Sequence, residues 1–249
     1  MNPSLLLLKD MLKKVLKVLP FALTQNQRYD RQTEAIIRKV CRPHTNCVDV
    51  GTHRGEILDL MRVLAPGGQH FGFEPLPHFY KSLLERYADA PSVHIFPFAL
   101  SDTAGTASFN WVTTNPAYSG LKKRHYDRPN EQEQAITVEM RTLDSVVFPY
   151  QVPVGLMKID VEGGEMGVLR GAEELLRRDR PVIIFEFGLG GSDVYGTTPR
   201  VLLDFLEPLC YRVYLLHDYL RGRAPLTGGA LEEQFYGRKN FYFVAATAI

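Results

Sequence analysis

Apolar residues along this chain fall alternately into short runs and into stripes of helical spacing. "NCVDVG" (Asn46–Gly51) has Cys47, Val48 and Val50 as the apolar body of a short buried strand. "EILDLMRVLAPGG" follows, with Ile57, Met61 and Leu64 at helical spacing and a stop at Pro66-Gly67-Gly68. The beat continues with a strand at "HFGFEP" (His70–Pro75), a helix over Phe79, Leu83, Leu84 and Tyr87, and a third strand at "VHIFPFAL" (Val93–Leu100). It then breaks into two β segments, "TASFNW" and "AITVEMR", around a polar insertion. Next come a strand at "VGLMKID", one helix through Met166, Leu169, Ala172, Leu175 and Leu176, and the apolar strand "PVIIFEF" (Pro181–Phe187). Such continuous runs suit parallel strands buried on both faces. A helix capped by Thr198, with Pro199 at its first position, precedes two closing strands, "YRVYLLH" and "NFYFVAA". No helical pattern is read between those two, so they are expected to pair antiparallel.

Alternating strands and helices joined by right-handed crossovers give an α/β fold, a parallel sheet with helices on both faces. Five such units and the closing pair make seven strands. The domain is expected to run from about residue 41 to 249, with a lid-like insertion near 113–135. Residues 1–40 form an N-terminal helical extension, containing a helix over Arg31–Val40 that Asp30 would cap. Further upstream, Leu5, Leu8, Leu12, Val15, Leu16 and Leu19 share one helical face, and Lys9, Lys13, Lys14 and Lys17 lie elsewhere. Three destinations stay open for that face: its own domain, a second copy of the chain, or a membrane surface.

Charge narrows the partners. Lys and Arg total 29 and Asp and Glu 28, a net charge of +1, which gives no reason to expect nucleic acid. The three cysteines, Cys41, Cys47 and Cys210, are odd in number and lack zinc-ligand spacing, so a reducing, cytoplasmic setting and no structural metal are expected.

In sheets of this kind, ligands sit outside the carboxyl ends of the strands. The first strand delivers Asp49-Val50-Gly51-Thr52-His53-Arg54-Gly55, a DxGxxxG turn. Its glycines let the backbone approach a ligand, while Asp49 would repel a pyrophosphate and favour a cationic ligand. The second strand ends at Glu74, suited to accept ribose hydroxyls. The third leads to Ser101-Asp102, and the fourth to Asp160 and Glu162 in "KIDVEGGEMGVLRGA". Four carboxylates at successive strand ends make an acidic crevice. Glu165 reads as a first-turn acid of the helix that follows.

"CVDVGTHRGEI", "FEPLPHFYKSL", "FALSDTAGTASF", "LMKIDVEGGEMGVLRGA" and "IIFEFG" together resemble, in that order, the FkbM-type S-adenosylmethionine-dependent methyltransferases. The likeness runs from about Asn46 to Gly188. It implies the Rossmann-like, seven-stranded class I methyltransferase sheet and transfer of a methyl group to a hydroxyl of a sugar, glycoconjugate or secondary metabolite. It places Asp49, Gly51 and Gly55 around the methionine part of S-adenosyl-L-methionine, Glu74 at the ribose and Asp102, with Ser101, near adenine. Asp160 and Glu162 then face the methyl group and the acceptor. Many relatives carry a small residue and an asparagine where this chain has Thr52 and His53. The resemblance gives no consistent expectation of a metal, and none is expected.

Removing the hydroxyl's proton falls first to Asp160 and second to Glu162. Lys158, two residues from Asp160 on one strand face, either pairs with it or orients the acceptor. Acceptor contacts are expected from the insertion: Tyr118, His125 and Tyr126 for a sugar, and Lys122, Lys123 and Arg124 for an anionic group. His217, at the end of the penultimate strand, is a further candidate base. Two other readings stay open. One is a nicotinamide-dependent oxidoreductase, against which Asp49 and the missing third glycine count. The other is a non-catalytic protein that binds the adenosyl cofactor.

Overall fold

The computed structural model describes residues 24–126 and 130–247. The leucine stripe from Leu5 to Leu19 lies outside them. The first helix, α1, spans Gln25–Val40 and starts earlier than the sequence pattern predicts. Thr24, not Asp30, is its cap: the Thr24 hydroxyl accepts from the Gln27 amide while the Gln27 side chain accepts from the Thr24 amide. Ile36 and Ile37 on this helix are fully buried.

Strand β1 (Asn46–Val50), α2 (Glu56–Leu64), β2 (His70–Phe73), α3 (Pro77–Arg86) and β3 (Val93–Phe96) follow the expected beat. In α3, Phe79 and Leu83 face inward, whereas Leu84 is exposed. The expected strand "VHIFPFAL" is broken at Pro97, which has no N–H to continue a ladder. Its second half, β4 (Phe98–Leu100), joins a separate sheet with the hairpin β5 (Gly105–Val112) and β6 (Glu133–Arg141), in the order β4-β6-β5.

After α4 (Leu143–Val147) and β7 (Val154–Ile159), the single helix expected through Leu176 is two: α5 (Glu165–Arg170) and α6 (Glu173–Asp179). Gly171 sits at the break, so close to the Ser101 carbonyl oxygen that a Cβ there would stand 2.1 Å from it. Asp144 then caps the second piece, its carboxylate accepting from the Glu174 and Leu175 amides. Strand β8 (Val182–Glu186) and α7 (Pro199–Leu206) follow, the latter capped by Thr198 as the sequence indicates.

The closing strands β9 (Tyr211–Leu215) and β10 (Tyr242–Thr247) pair antiparallel. The connection between them is helical, contrary to expectation. It holds α8 (Leu216–Leu220), too short to show a period, and α9 (Gly228–Tyr236), whose opening glycines obscure the buried Leu231 and Phe235. The seven-stranded sheet has the order β3-β2-β1-β7-β8-β10-β9, with β10 antiparallel to both its neighbours. Successive strand residues serve opposite cores. Cys47, Leu156 and Ile184 pack with α1 and α2, while Val48, Met157 and Ile183 pack with α5, α6 and α7.

Candidate active site

One cavity of about 560 Å³ opens at the carboxyl ends of β1, β2 and β7, where the strand order changes direction. At the end of β1 the chain turns sharply. Gly51 has φ +79°, and a Cβ on it would lie 2.0 Å from the Asp160 carbonyl oxygen, so only glycine fits. Thr52 Oγ1 donates to the Asp49 carbonyl at 2.8 Å and closes the turn, and His53 holds a left-handed backbone at φ 49°. Gly55 ends the turn at φ +82° against the Tyr87 hydroxyl, behind the cavity wall.

Asp49 is almost wholly buried, lines this cavity, and has no hydrogen-bond donor on either carboxylate oxygen. Burial pushes its carboxyl up to about 6, against the pull of Lys158. Glu74, also buried, accepts from the backbone amides of His53 (2.8 Å) and Leu76 (2.9 Å). Burial raises it to about 7 despite those bonds. Beyond Glu74 the wall is apolar, with Leu76, Phe98, Ala99 and Leu100. Ser101 and Asp102, expected there, lie past this wall. Ser101 donates its amide to Arg141 of the second sheet, because the break at Pro97 carries the chain away.

The ends of β7 and β8 build a denser arrangement. Parallel register sets Ile159 beside Phe185, which brings Asp160 and Glu186 next to one another. Asp160 Oδ2 accepts from Lys158 Nζ at 3.0 Å and from the Tyr242 hydroxyl at 2.5 Å. Burial would push the Asp160 carboxyl up, but Lys158, Tyr242 and Glu186 outweigh it and hold it below the usual range. Glu186 goes the other way: burial, with Asp160 and Glu165 nearby, drives its carboxyl well above the ordinary value. The two neighbouring carboxyls are thus driven in opposite directions, Asp160 downward and Glu186 upward.

Glu162 has a strained left-handed backbone, φ 59°, and its carboxylate is ion-paired with Arg124, which also stands 3.9 Å from Glu186. One oxygen each of Asp160, Glu162 and Glu186 lies within 4.8 Å of the others. That spacing suits a cation, and the cation present is the Arg124 guanidinium. Glu165 is no surface acid: it is buried and accepts from the Val161 and Gly163 amides, fixing the turn that carries Glu162.

Arg124 comes from the insertion, which folds over the strand ends instead of standing in solvent. The Lys122 amide donates to the Tyr195 hydroxyl (2.8 Å) and the His125 amide to the Gly190 carbonyl (3.2 Å). Tyr118 stacks on Tyr126 and beneath Arg124, and Lys122 Nζ lies 5.0 Å from the centre of the Tyr195 ring. Tyr118 and Lys122 brace the lid and do not line the cavity; Pro116, Ala117, Ser119 and Tyr195 do. His217 is placed in α8, two residues past the end of β9, 3.2 Å from Asp218 and away from the cavity.

Sequence reasoning missed Tyr29, Glu186, Tyr195 and Tyr242. Glu186 could have been found, since it ends the strand in "IIFEF" as the other acids end theirs. Tyr242 begins a strand that runs the opposite way, so its amino end, not its carboxyl end, meets the site. Tyr29 accepts the Phe241 amide and stacks near Tyr242, and Tyr195 ends a 3-10 turn (Ser192–Tyr195) too short to show a periodic signal.

This sheet order with an acidic crevice at its carboxyl edge defines the class I methyltransferase fold. The chain belongs to the FkbM methyltransferase domain family, whose match covers residues 49–213. It is 30% identical over 155 residues to the methyltransferase sdnD of Sordaria araneosa, covering 51% of this chain and 60% of that one. The chain thus spans less than two thirds of that relative's length. Among solved structures, it is similar to the methyltransferase FkbM of Methylobacillus flagellatus KT, at 15% identity and a TM-score of 0.48, covering 86% of this chain and 50% of that one. It is also similar to SMU.1697c of Streptococcus mutans in complex with SAH, at 10% identity and a TM-score of 0.47, covering 88% and 97%. Among the described residues, no helix is long and apolar enough to cross a membrane.

Proposed function

We propose that the chain is an S-adenosyl-L-methionine-dependent O-methyltransferase acting on a hydroxyl of a sugar, glycoconjugate or secondary metabolite. The observation that carries this reading is the buried carboxylate of Asp49, with no donor at either oxygen, at the foot of the cavity. A buried charge without a partner is costly, so the group fits a ligand that brings an ammonium to it. Gly51 lets the turn pass tightly against the Asp160 backbone and so lines the cavity with bare main chain, Glu74 stands at the next strand end for the ribose, and the apolar wall of Leu76, Phe98 and Leu100 suits a purine. When bound, S-adenosylmethionine supplies a methyl group activated by a sulfonium.

The chain's own part is alignment and proton removal. Asp160, held ionised by Lys158 and Tyr242, takes the acceptor's proton as its oxygen attacks, a contribution of about 10²–10⁴-fold. Glu162 is the less suitable base because Arg124 already occupies it. Arg124, Tyr195 and the folded insertion cover the acceptor side and keep water from it. Because Arg124 is neutralised by acids of the site, the lid favours a neutral, hydroxyl-rich acceptor over an anionic one.

Calorimetric titration of the purified chain with S-adenosylhomocysteine, and separately with NADH, tests the cofactor. The expected outcome is saturable binding of the first alone, weakened by Glu74→Ala. Binding of NADH alone would overturn the reading in favour of a nicotinamide enzyme.

A further inference from the structure

Three cations line the cavity: Lys158, Arg54 and Arg38. Lys158 is committed, its ammonium 3.0 Å from Asp160. Arg54 and Arg38 make no ion pair among the described residues, although the cavity is otherwise rich in carboxylates, with Glu34, Asp49, Glu56 and Glu74 along the same wall. An amino-acid group bound here brings both an ammonium and a carboxylate. Asp49 answers the ammonium. The carboxylate would be repelled by the acids at the strand ends, and among the described residues that line the cavity the arginines without an ion pair are Arg54 and Arg38.

Of the two, Arg54 is tied to the ligand's bed. It lies inside the Gly51–Gly55 turn, three residues past the glycine that lets a ligand approach, and directly before the free amides of α2. Arg38 projects from the last turns of α1, one helical turn beyond Glu34 on the same face, so an acid of its own helix competes for it. We infer that Arg54, which lines the same cavity as Asp49, binds the carboxylate of the amino-acid part of the cofactor. The inference rests on the cofactor reading above and adds a residue to it. It gives the turn a charged pair of contacts, Asp49 and Arg54, matched in sign to a zwitterion. The guanidinium's fork suits a carboxylate, which explains a long cation at a position where backbone approach alone would need none.

The test compares two ligands that share the adenosine and the thioether: S-adenosylhomocysteine, and 5′-methylthioadenosine, which lacks the amino-acid part. Calorimetry on the full chain is expected to show that Arg54→Met weakens S-adenosylhomocysteine by about tenfold and leaves 5′-methylthioadenosine within about twofold of the parent. Arg54→Lys should recover part of the loss, and Arg38→Met should leave both ligands within about twofold. Equal weakening of both ligands by Arg54→Met would mean a damaged turn and overturn the inference, as would an unchanged S-adenosylhomocysteine affinity or a selective loss in Arg38→Met instead. A parent chain that binds both ligands equally overturns it while sparing the cofactor reading. A parent chain that binds neither removes the cofactor reading itself.

Discussion

The two halves of the cavity handle charge in opposite ways. At the end of β1, Asp49 is buried with nothing donating to it, and the neighbouring contacts are backbone amides and glycines. At the ends of β7 and β8 the acids have partners within the chain: Asp160 has Lys158 and Tyr242, Glu162 has Arg124, and one oxygen of Glu165 accepts from two amides while its other oxygen has none. The first half holds an uncompensated charge that a ligand must satisfy. The second is largely paired within the chain, and its arrangement changes when a proton or the Arg124 side chain moves. The proposed reaction, binding of a sulfonium cofactor followed by removal of a proton, would draw on both kinds of region.

The largest effect should come where the halves touch. Gly51→Val forces a side chain onto the Asp160 carbonyl and into a left-handed backbone, and should cost about 4 kcal/mol of stability together with all cofactor binding. Urea denaturation and calorimetry measure both. A variant that folds and binds normally would show that the two halves are not held in register by that contact.

Next, Asp160→Asn leaves Lys158 buried without its counter-ion and should cost about 3 kcal/mol, reduced somewhat by the partial exposure of Asp160. S-adenosylhomocysteine should still bind, since Asp49 is untouched. Loss of binding in a folded variant would mean that the compensated half also holds the cofactor.

The third prediction uses pH. The Asp49 carboxyl stands near 6 in the folded chain, above the ordinary carboxylate value, so folding disfavours its charged form. Stability from the neutral group is present below about pH 4 and lost as pH rises through about 6. In the ligand-free chain at pH 8 this amounts to a penalty of about 2–3 kcal/mol, at about 1.4 kcal/mol per unit. Asp49→Asn should therefore raise stability at pH 8 by about 1–2 kcal/mol, add little at pH 4, and weaken S-adenosylhomocysteine. Equal effects at the two pH values would show that Asp49 is compensated like the acids of the other half.

Legibility in the sequence followed the same division. The glycine turn, Asp49, Glu74 and Asp160 are local: each sits at the carboxyl end of a short apolar run, and the run announces it. The half at the ends of β7 and β8 depends on residues far apart in the chain. Arg124 belongs to a polar stretch whose composition suits solvent, and only its burial against Glu162 and Glu186 shows otherwise. Tyr242 needs the direction of β10, and Tyr29 needs the packing of α1 against the end of the chain. Where local chemistry competed with period, it won: Pro97 split one strand between two sheets, Gly171 divided one helix, and the Thr24 capping box moved the start of another.

Strand β10 is inserted between β8 and β9, although it follows both in the chain. Strand β9 pairs only with β10 among the described strands, so it gains its neighbour only once β10 has emerged, and the sheet closes from the inside outward. The same strand brings the Tyr242 hydroxyl to Asp160. A nascent chain stalled before β10 would carry the glycine turn and its acids, yet lack both the bridging strand and the Tyr242 donor to Asp160. Closing of the sheet and completion of the Asp160 contacts therefore coincide.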